Sequence, residues 1–272
     1  MNQTFFLKLG GSLITDKDQE HNALIPQIDG IALQLKRFIE TFPKINLLLG
    51  HGSGSFGHVI ANRYNTRAGV HTEDEWLGFA GVWAAARALN QIVIERLTRI
   101  DLPVIGFPLS ASAVTHFRAP IDWNSQPIAA ALEHHLLPLI YGDVVFDDVL
   151  GGTILSTEEQ FAALVPKLKP ERIFLAGLEQ GVWQDFPACT TLIPVITPSS
   201  FSSIANSLQK SASVDVTGGM ISKVNSMMEL VQKYPEVQIN IFSGQAENAI
   251  FNALSGKTSG TILRSDNPGD DE

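Results

Sequence analysis

The segment INLLLG (residues 45–50) is apolar almost throughout, without the alternation of a half-exposed strand. Such a run suits a strand covered on both faces, as in a parallel sheet between two helical layers. Similar runs recur at TFFLKLGG (4–11), LPVIGF (102–107), LPLIYGDVVFD (137–147), RIFLAG (172–177), VQINIFSG (237–244) and GTILRS (260–265). Helical patterns separate them. Residues 26–42 carry Ile28, Ile31, Leu35 and Ile39 at helical spacing, and residues 72–100 open with Thr72 as N-cap and Glu75 at the capping-box position. Further helices are predicted near 125–135, over 156–168, over 218–234 behind two glycines, and over 246–256. Strands alternating with helices predict an α/β fold with a mostly parallel central sheet and helices on both sides. The division expected is an acceptor-binding part over 1–168, a nucleotide-binding part over 169–265 on the same sheet, and an acidic disordered tail over 266–272.

Composition narrows the functional classes. The chain has 272 residues, 44% of them hydrophobic, enough for a sizeable core, and no run reads as a membrane span. The first residues enter a strand directly, without a basic leader, and the single Cys189 points to a reducing cytoplasm and a structural thiol. A net charge of −9 without a Lys/Arg block argues against nucleic acid as a partner. Lysines that do fall inside glycine motifs are therefore informative.

Three such places stand out. Lys8 precedes Gly10-Gly11-Ser12, with Lys17 nine residues on. Residues 51–58 read HGSGSFGH. Gly218-Gly219 open a helix that carries Lys223. Successive amides in a glycine turn, or at a helix start, form a concave anion site that a lysine complements. Gly52, Gly54 and Gly57 also spell G-x-G-x-x-G, but the acidic residues about 20 positions on begin a helix, and this is the second strand, so a dinucleotide fingerprint does not fit. A Walker A motif is absent. One polyphosphate gripped from several sides is the better reading, with His58 placed to bond a phosphate and His51 satisfied by backbone.

In order along the chain, KLGGS…TDK, HGSGSFGH, YGDVVFD, STEE, DVTGGMISK and a late GT resemble the amino acid kinase superfamily, and within it the isopentenyl phosphate kinases. The resemblance spans residues 4–264 and implies an open αβα sandwich, usually dimeric. It implies phosphoryl transfer from ATP, assisted by Mg²⁺, to isopentenyl phosphate. By this resemblance Lys8, Gly10, Gly11 and Ser12 hold the ATP phosphates, and Lys17 stabilises the transferring group. Gly177, Gly181, Gly219 and Lys223 serve the nucleotide, and Gly54 lies near the transferred phosphoryl. Ser53, Gly57 and Thr157 flank the acceptor phosphate, which His58 hydrogen-bonds; no residue is assigned as a metal ligand. Phosphoryl transfer between ionised phosphates needs positioning and charge neutralisation rather than a general base. Asp143 and Asp215 are candidates for orienting lysines or a metal-bound water, or equally for turns and caps.

The chain departs from the family pattern at Ser53, where glycine is usual, and at AGLEQGVW (176–183), which lacks the usual aspartates. For an isoprenoid tail the 72–100 helix offers Leu77, Phe79, Ala80, Val82, Trp83 and Ala86. A fosfomycin-kinase-like enzyme and a non-catalytic nucleotide-binding protein are the alternatives.

Overall fold

The computed structural model describes residues 3–204, 219–257 and 259–266; Asp215, Gly218 and the tail from 267 on lie outside the described residues. The strands of the first half are β1 (Gln3–Leu9), β2 (Ile45–His51), β3 (Val104–Gly106), β4 (Ala113–His116), β5 (Ala119–Trp123), β6 (Leu137–Tyr141), β7 (Asp143–Asp147) and β8 (Gly151–Leu155). Those of the second are β9 (Arg172–Gly177), β10 (Val182–Trp183), β11 (Leu192–Ile193), β12 (Val195–Ile196), β13 (Gln238–Ser243) and β14 (Thr261–Leu263). Eight form one sheet in the order β12-β14-β13-β9-β1-β2-β6-β3, parallel from β13 to β3, with β14 antiparallel to β13.

The apolar strands are covered on both faces, as their sequences require. Phe5, Leu7, Leu47, Leu49, Phe174 and Phe242 pack against α2 (Ile25–Thr41) and the second half of α4 (Glu73–Thr98). Phe6, Leu48, Ile140, Ile173 and Ile239 face the other way, onto α6 (Thr157–Leu168) and α7 (Gly219–Lys233). Each large side chain buried this way contributes about 1.5–3 kcal/mol of transfer free energy. The fold is thus an αβα sandwich with a mostly parallel sheet.

Helix α4 has the length and mean hydropathy of a membrane-crossing helix. Its Phe79, Val82, Ala86, Leu89, Val93 and Leu97 are nevertheless buried in the protein's own core. Its start is fixed by the expected capping box of Thr72 and Glu75, and α6 begins with a second one made by Ser156 and Glu159.

The apolar run 137–147 is two strands, not the single strand its composition suggests. At Gly142 the backbone N–H donates to the His51 carbonyl (3.1 Å), and the next carboxylate, Asp143, accepts from the Ser110 N–H (3.0 Å) and hydroxyl (2.7 Å). These bonds turn the chain out of the main sheet into a smaller one, ordered β5-β4-β7-β8, which roofs one end of the molecule's central crevice.

Candidate active site

The parallel strands β9, β1, β2 and β6 end level with one another: Lys8 of β1 lies opposite Gly50 of β2 and Leu175 of β9. Ligands of open α/β sheets bind in the crevice outside such carboxyl ends. Here the crevice is bordered by Gly10-Gly11, Gly52-Ser53, Gly142 and Gly177.

The loops after β1 and β2 are pressed backbone to backbone. A Cβ on Gly11 would lie 2.3 Å from the Gly54 nitrogen, and one on Gly52 would lie 2.9 Å from the Gly11 nitrogen. Gly54 also needs its glycine for φ +49°, a left-handed conformation. Thr15 clips the two loops together. Its hydroxyl donates to the Gly11 carbonyl (2.8 Å) and accepts from the Ser55 N–H (3.0 Å), joining α1 (Gly11–Ile14) to α3 (Gly54–Arg63). The Gly10 N–H donates to the Ala176 carbonyl (2.8 Å), so its part is to tie β1 to β9 rather than to offer that amide to a phosphate. Ser53, the departure from the family loop, has φ −79°, which any residue adopts, and its side chain fills the space beside Gly57.

Beneath the loops sits a cluster of three charges. Glu158, in the first turn of α6, accepts a short hydrogen bond from Lys8 Nζ, and both side chains are largely shielded from solvent. Burial pushes the Glu158 carboxyl up, but the Lys8 charge and hydrogen bond, and then Lys223, outweigh it and hold the pKa below the usual carboxylate value. Burial, then Lys8, lowers the Lys223 ammonium, partly offset by Glu158 and Glu179. Glu158 thus binds Lys8 directly and feels the charge of Lys223 from the other end of the chain.

A cleft of about 350 Å³ is lined by Lys8, Gly11, Gly52, Ser53, Gly57 and His58 at one end, and by the start of α6 at Ser156, Thr157 and Glu158. Ala61, Val82 and Ile154 supply its apolar wall, and Asn62, Asn65 and Arg67 its polar rim. The N-terminus of α6 brings a partial positive charge toward an anion. His58 is held below the ordinary imidazole value by desolvation and then by the charges of Lys8 and Arg67. In its neutral form the ring has one N–H to donate.

Several sequence expectations change here. Thr157 lines the cleft, but its hydroxyl donates to the His51 carbonyl (2.6 Å). Lys17 is exposed on the turn between the bridged residues Thr15 and Ala23 and does not line the cleft. Asp143 faces Ser110, not the lysines, and is a turn anchor. Gly181 is required by packing, since a Cβ would lie 2.7 Å from the Thr261 hydroxyl, whereas a Cβ on Gly177 would meet nothing within 4 Å. Ser12 follows Gly11 in α1, and Gly219 opens α7, which carries Lys223. Of the tail-wall candidates only Val82 reaches the cleft: Phe79 packs behind it, and Leu77 and Trp83 face solvent. Sequence reasoning missed Glu158, Thr15, Ile154 and Arg67.

His51 is a buried structural hub. Its Nδ1 faces the Gly52 carbonyl (3.0 Å) and its Nε2 the side-chain oxygen of Asn90 (3.1 Å), an amide whose O and N can be interchanged, and it stacks on Tyr141. Burial chiefly lowers its pKa. A neutral ring donating to Gly52 requires the Asn90 amide to present its NH₂ to the other nitrogen.

Residues 3–241 match the model of the amino acid kinase family. The isopentenyl phosphate kinase of Methanocaldococcus jannaschii is 31% identical over 266 residues, covering 94% of this chain and 97% of that protein. That of Methanothermobacter thermautotrophicus is 30% identical, covering 92% and 95%. Among solved structures, one of isopentenyl phosphate kinase superposes with a TM-score of 0.80 at 26% identity, covering 96% of this chain and 100% of that one. A UMP kinase from Ureaplasma parvum shares the fold, with a TM-score of 0.62 at 14% identity.

Proposed function

This chain belongs to the amino acid kinase family, and on that premise we propose that it transfers the γ-phosphoryl group of ATP to isopentenyl phosphate, giving isopentenyl diphosphate. The observation that carries the substrate is the polarity of the cleft. Its Lys8, His58 and α6 N-terminus suit an anionic head, and the Ala61, Val82 and Ile154 wall suits a short apolar tail.

The acceptor's phosphate oxygen attacks the γ-phosphorus as the bond to the β-phosphate oxygen breaks; ADP leaves with that electron pair, and no general base is needed. Lys8 lies between the two substrates and offsets the repulsion between their charges, with Lys223 beside the nucleotide phosphates. Glu158 keeps the Lys8 ammonium in place. The role of Lys17 on the transferring group is supported by the family likeness alone, since the side chain is exposed on its turn. Ser53, Gly57 and the His58 N–H hold the acceptor phosphate. Gly11, Ser12, Gly54 and Gly219 supply close backbone approach to ATP, and Gly177 leaves open the space beside β1.

Among the described residues no cluster of three or more His, Cys, Asp or Glu could cage a metal, and Glu158 and Asp143 are engaged elsewhere. The residues thus do not fit a resident Mg²⁺, whereas one carried by the ATP phosphates and water needs no such cage. Homodimerisation and a cytoplasmic location are part of the same proposal, supported by the family likeness.

The test is ADP release with Mg·ATP against isopentenyl, dimethylallyl and geranyl phosphates, fosfomycin and UMP. Preferred turnover of isopentenyl phosphate, lost in His58→Ala, is expected. Turnover of fosfomycin or UMP alone would overturn the substrate, and silence with ATP still bound would favour a non-catalytic nucleotide-binding protein.

A further inference from the structure

The rim of the acceptor cleft carries a cation that the reading above leaves unused. Arg67 lines the same cleft as Lys8 and His58. Its backbone is fixed: the carbonyl accepts from the Thr153 hydroxyl (2.8 Å) and from Arg118 Nη1 (3.3 Å). Its guanidinium is loosely held by comparison. Nη2 stands 3.3 Å from each Glu159 oxygen, with the side chain 56% exposed. Glu159 has closer partners, since it accepts a short bond from Arg118 Nη2 and caps α6 through the Ser156 N–H (2.7 Å). One carboxylate serving two arginines and a helix cap leaves Arg67 the weakest claimant.

We infer that Arg67 is a specificity residue for the acceptor, turning from Glu159 onto the oxyanion head that His58 also binds. The inference rests on the acceptor reading of the cleft. An exposed pair with Glu159 is worth only about 0–1 kcal/mol, so a dianion that offers a bidentate contact displaces it. The charge of Arg67 already acts on the His58 ring, which places the guanidinium within electrostatic reach of the head group. Arg118, bound to the same Glu159, does not line the cleft; it supports Arg67 from behind.

Steady-state kinetics on full-length protein test this. In Arg67→Ala the kcat/KM for isopentenyl phosphate falls about tenfold to a hundredfold, through KM, while the KM for ATP stays within about twofold. Arg67→Lys recovers part of the loss, because a point charge replaces the fork. An unchanged acceptor KM in an active Arg67→Ala enzyme, or an equal rise in the KM for ATP, overturns the inference. If wild-type protein does not turn over isopentenyl phosphate, the functional reading falls, and calorimetry with inorganic phosphate decides this one. Phosphate binding lost in Arg67→Ala upholds it, and equal binding or none overturns it.

Discussion

Replacing Gly11 by alanine tests whether the contact between the two glycine loops sets the geometry of transfer. The added Cβ would lie 2.3 Å from the Gly54 nitrogen and 2.5 Å from its Cα, both backbone atoms. An ordinary contact needs the loops to part by about 1 Å. Neither loop can yield freely. Gly10 is bonded to Ala176, the Gly52 N–H donates to the Leu9 carbonyl (3.0 Å), and Thr15 bridges the two. Overpacking of this kind costs about 1–3 kcal/mol. At about 2–4 °C per kcal/mol for a chain of this size, the Tm falls by roughly 2–12 °C. A displacement of about 1 Å between reacting groups costs about a hundredfold in rate, so kcat/KM should fall by that order for ATP and acceptor alike. Scanning calorimetry and the ADP-release assay read the two effects. Gly177→Ala is the contrast: its Cβ meets nothing within 4 Å, so the Tm stays put and any change is confined to ATP. An unshifted Tm in Gly11→Ala, with kcat/KM within about threefold of wild type for both substrates, would refute the reasoning.

Val82→Ala deepens the apolar wall and should raise the ratio of geranyl to isopentenyl phosphate kcat/KM by about tenfold. Trp83→Ala, on the solvent side of the same helix, should leave the ratio alone; the opposite pattern sinks the assignment of the wall. Asp147 supplies the pH dependence. Burial pushes its carboxyl up, but the N–H groups of Arg118, Leu150 and Val149 and the Thr115 hydroxyl hold it well below the usual value. A depressed folded pKa gives stability that is present above the unfolded value near about 4 and is lost as pH falls through the folded one. Asp147→Asn should therefore cost about 1–3 kcal/mol at pH 7, and less as pH drops below about 4, in urea unfolding followed by circular dichroism. A difference independent of pH would count against it.

The main sheet was legible because its strands are apolar runs too short for helices, and because Thr72–Glu75 and Ser156–Glu159 announce their helices chemically. The glycine loops were legible for a similar reason: a chain that is short of lysine places Lys8 and Lys223 deliberately. What escaped were relations set by tertiary geometry. The break at Gly142 depends on a bond to His51 from another strand, so no local pattern marks it. Glu158 reads as an ordinary acidic residue of a helix start until Lys8 arrives from 150 positions away. Trp83 and Val82 are neighbours in sequence, yet about 100° apart around α4, and which of them meets the cleft follows from where β8 and α3 pack.

The backbone contact between the loops has a consequence for how such a protein can change. Gly11, Gly52, Gly54 and Thr15 lock the loops after β1 and β2 together, so on the proposed reading an alteration there is felt by both substrates at once. In the apolar wall, Val82 and Ile154 stand outside those loops, on α4 and β8. New acceptors can be explored from that wall one side chain at a time, while the machinery that moves the phosphoryl group is inherited intact.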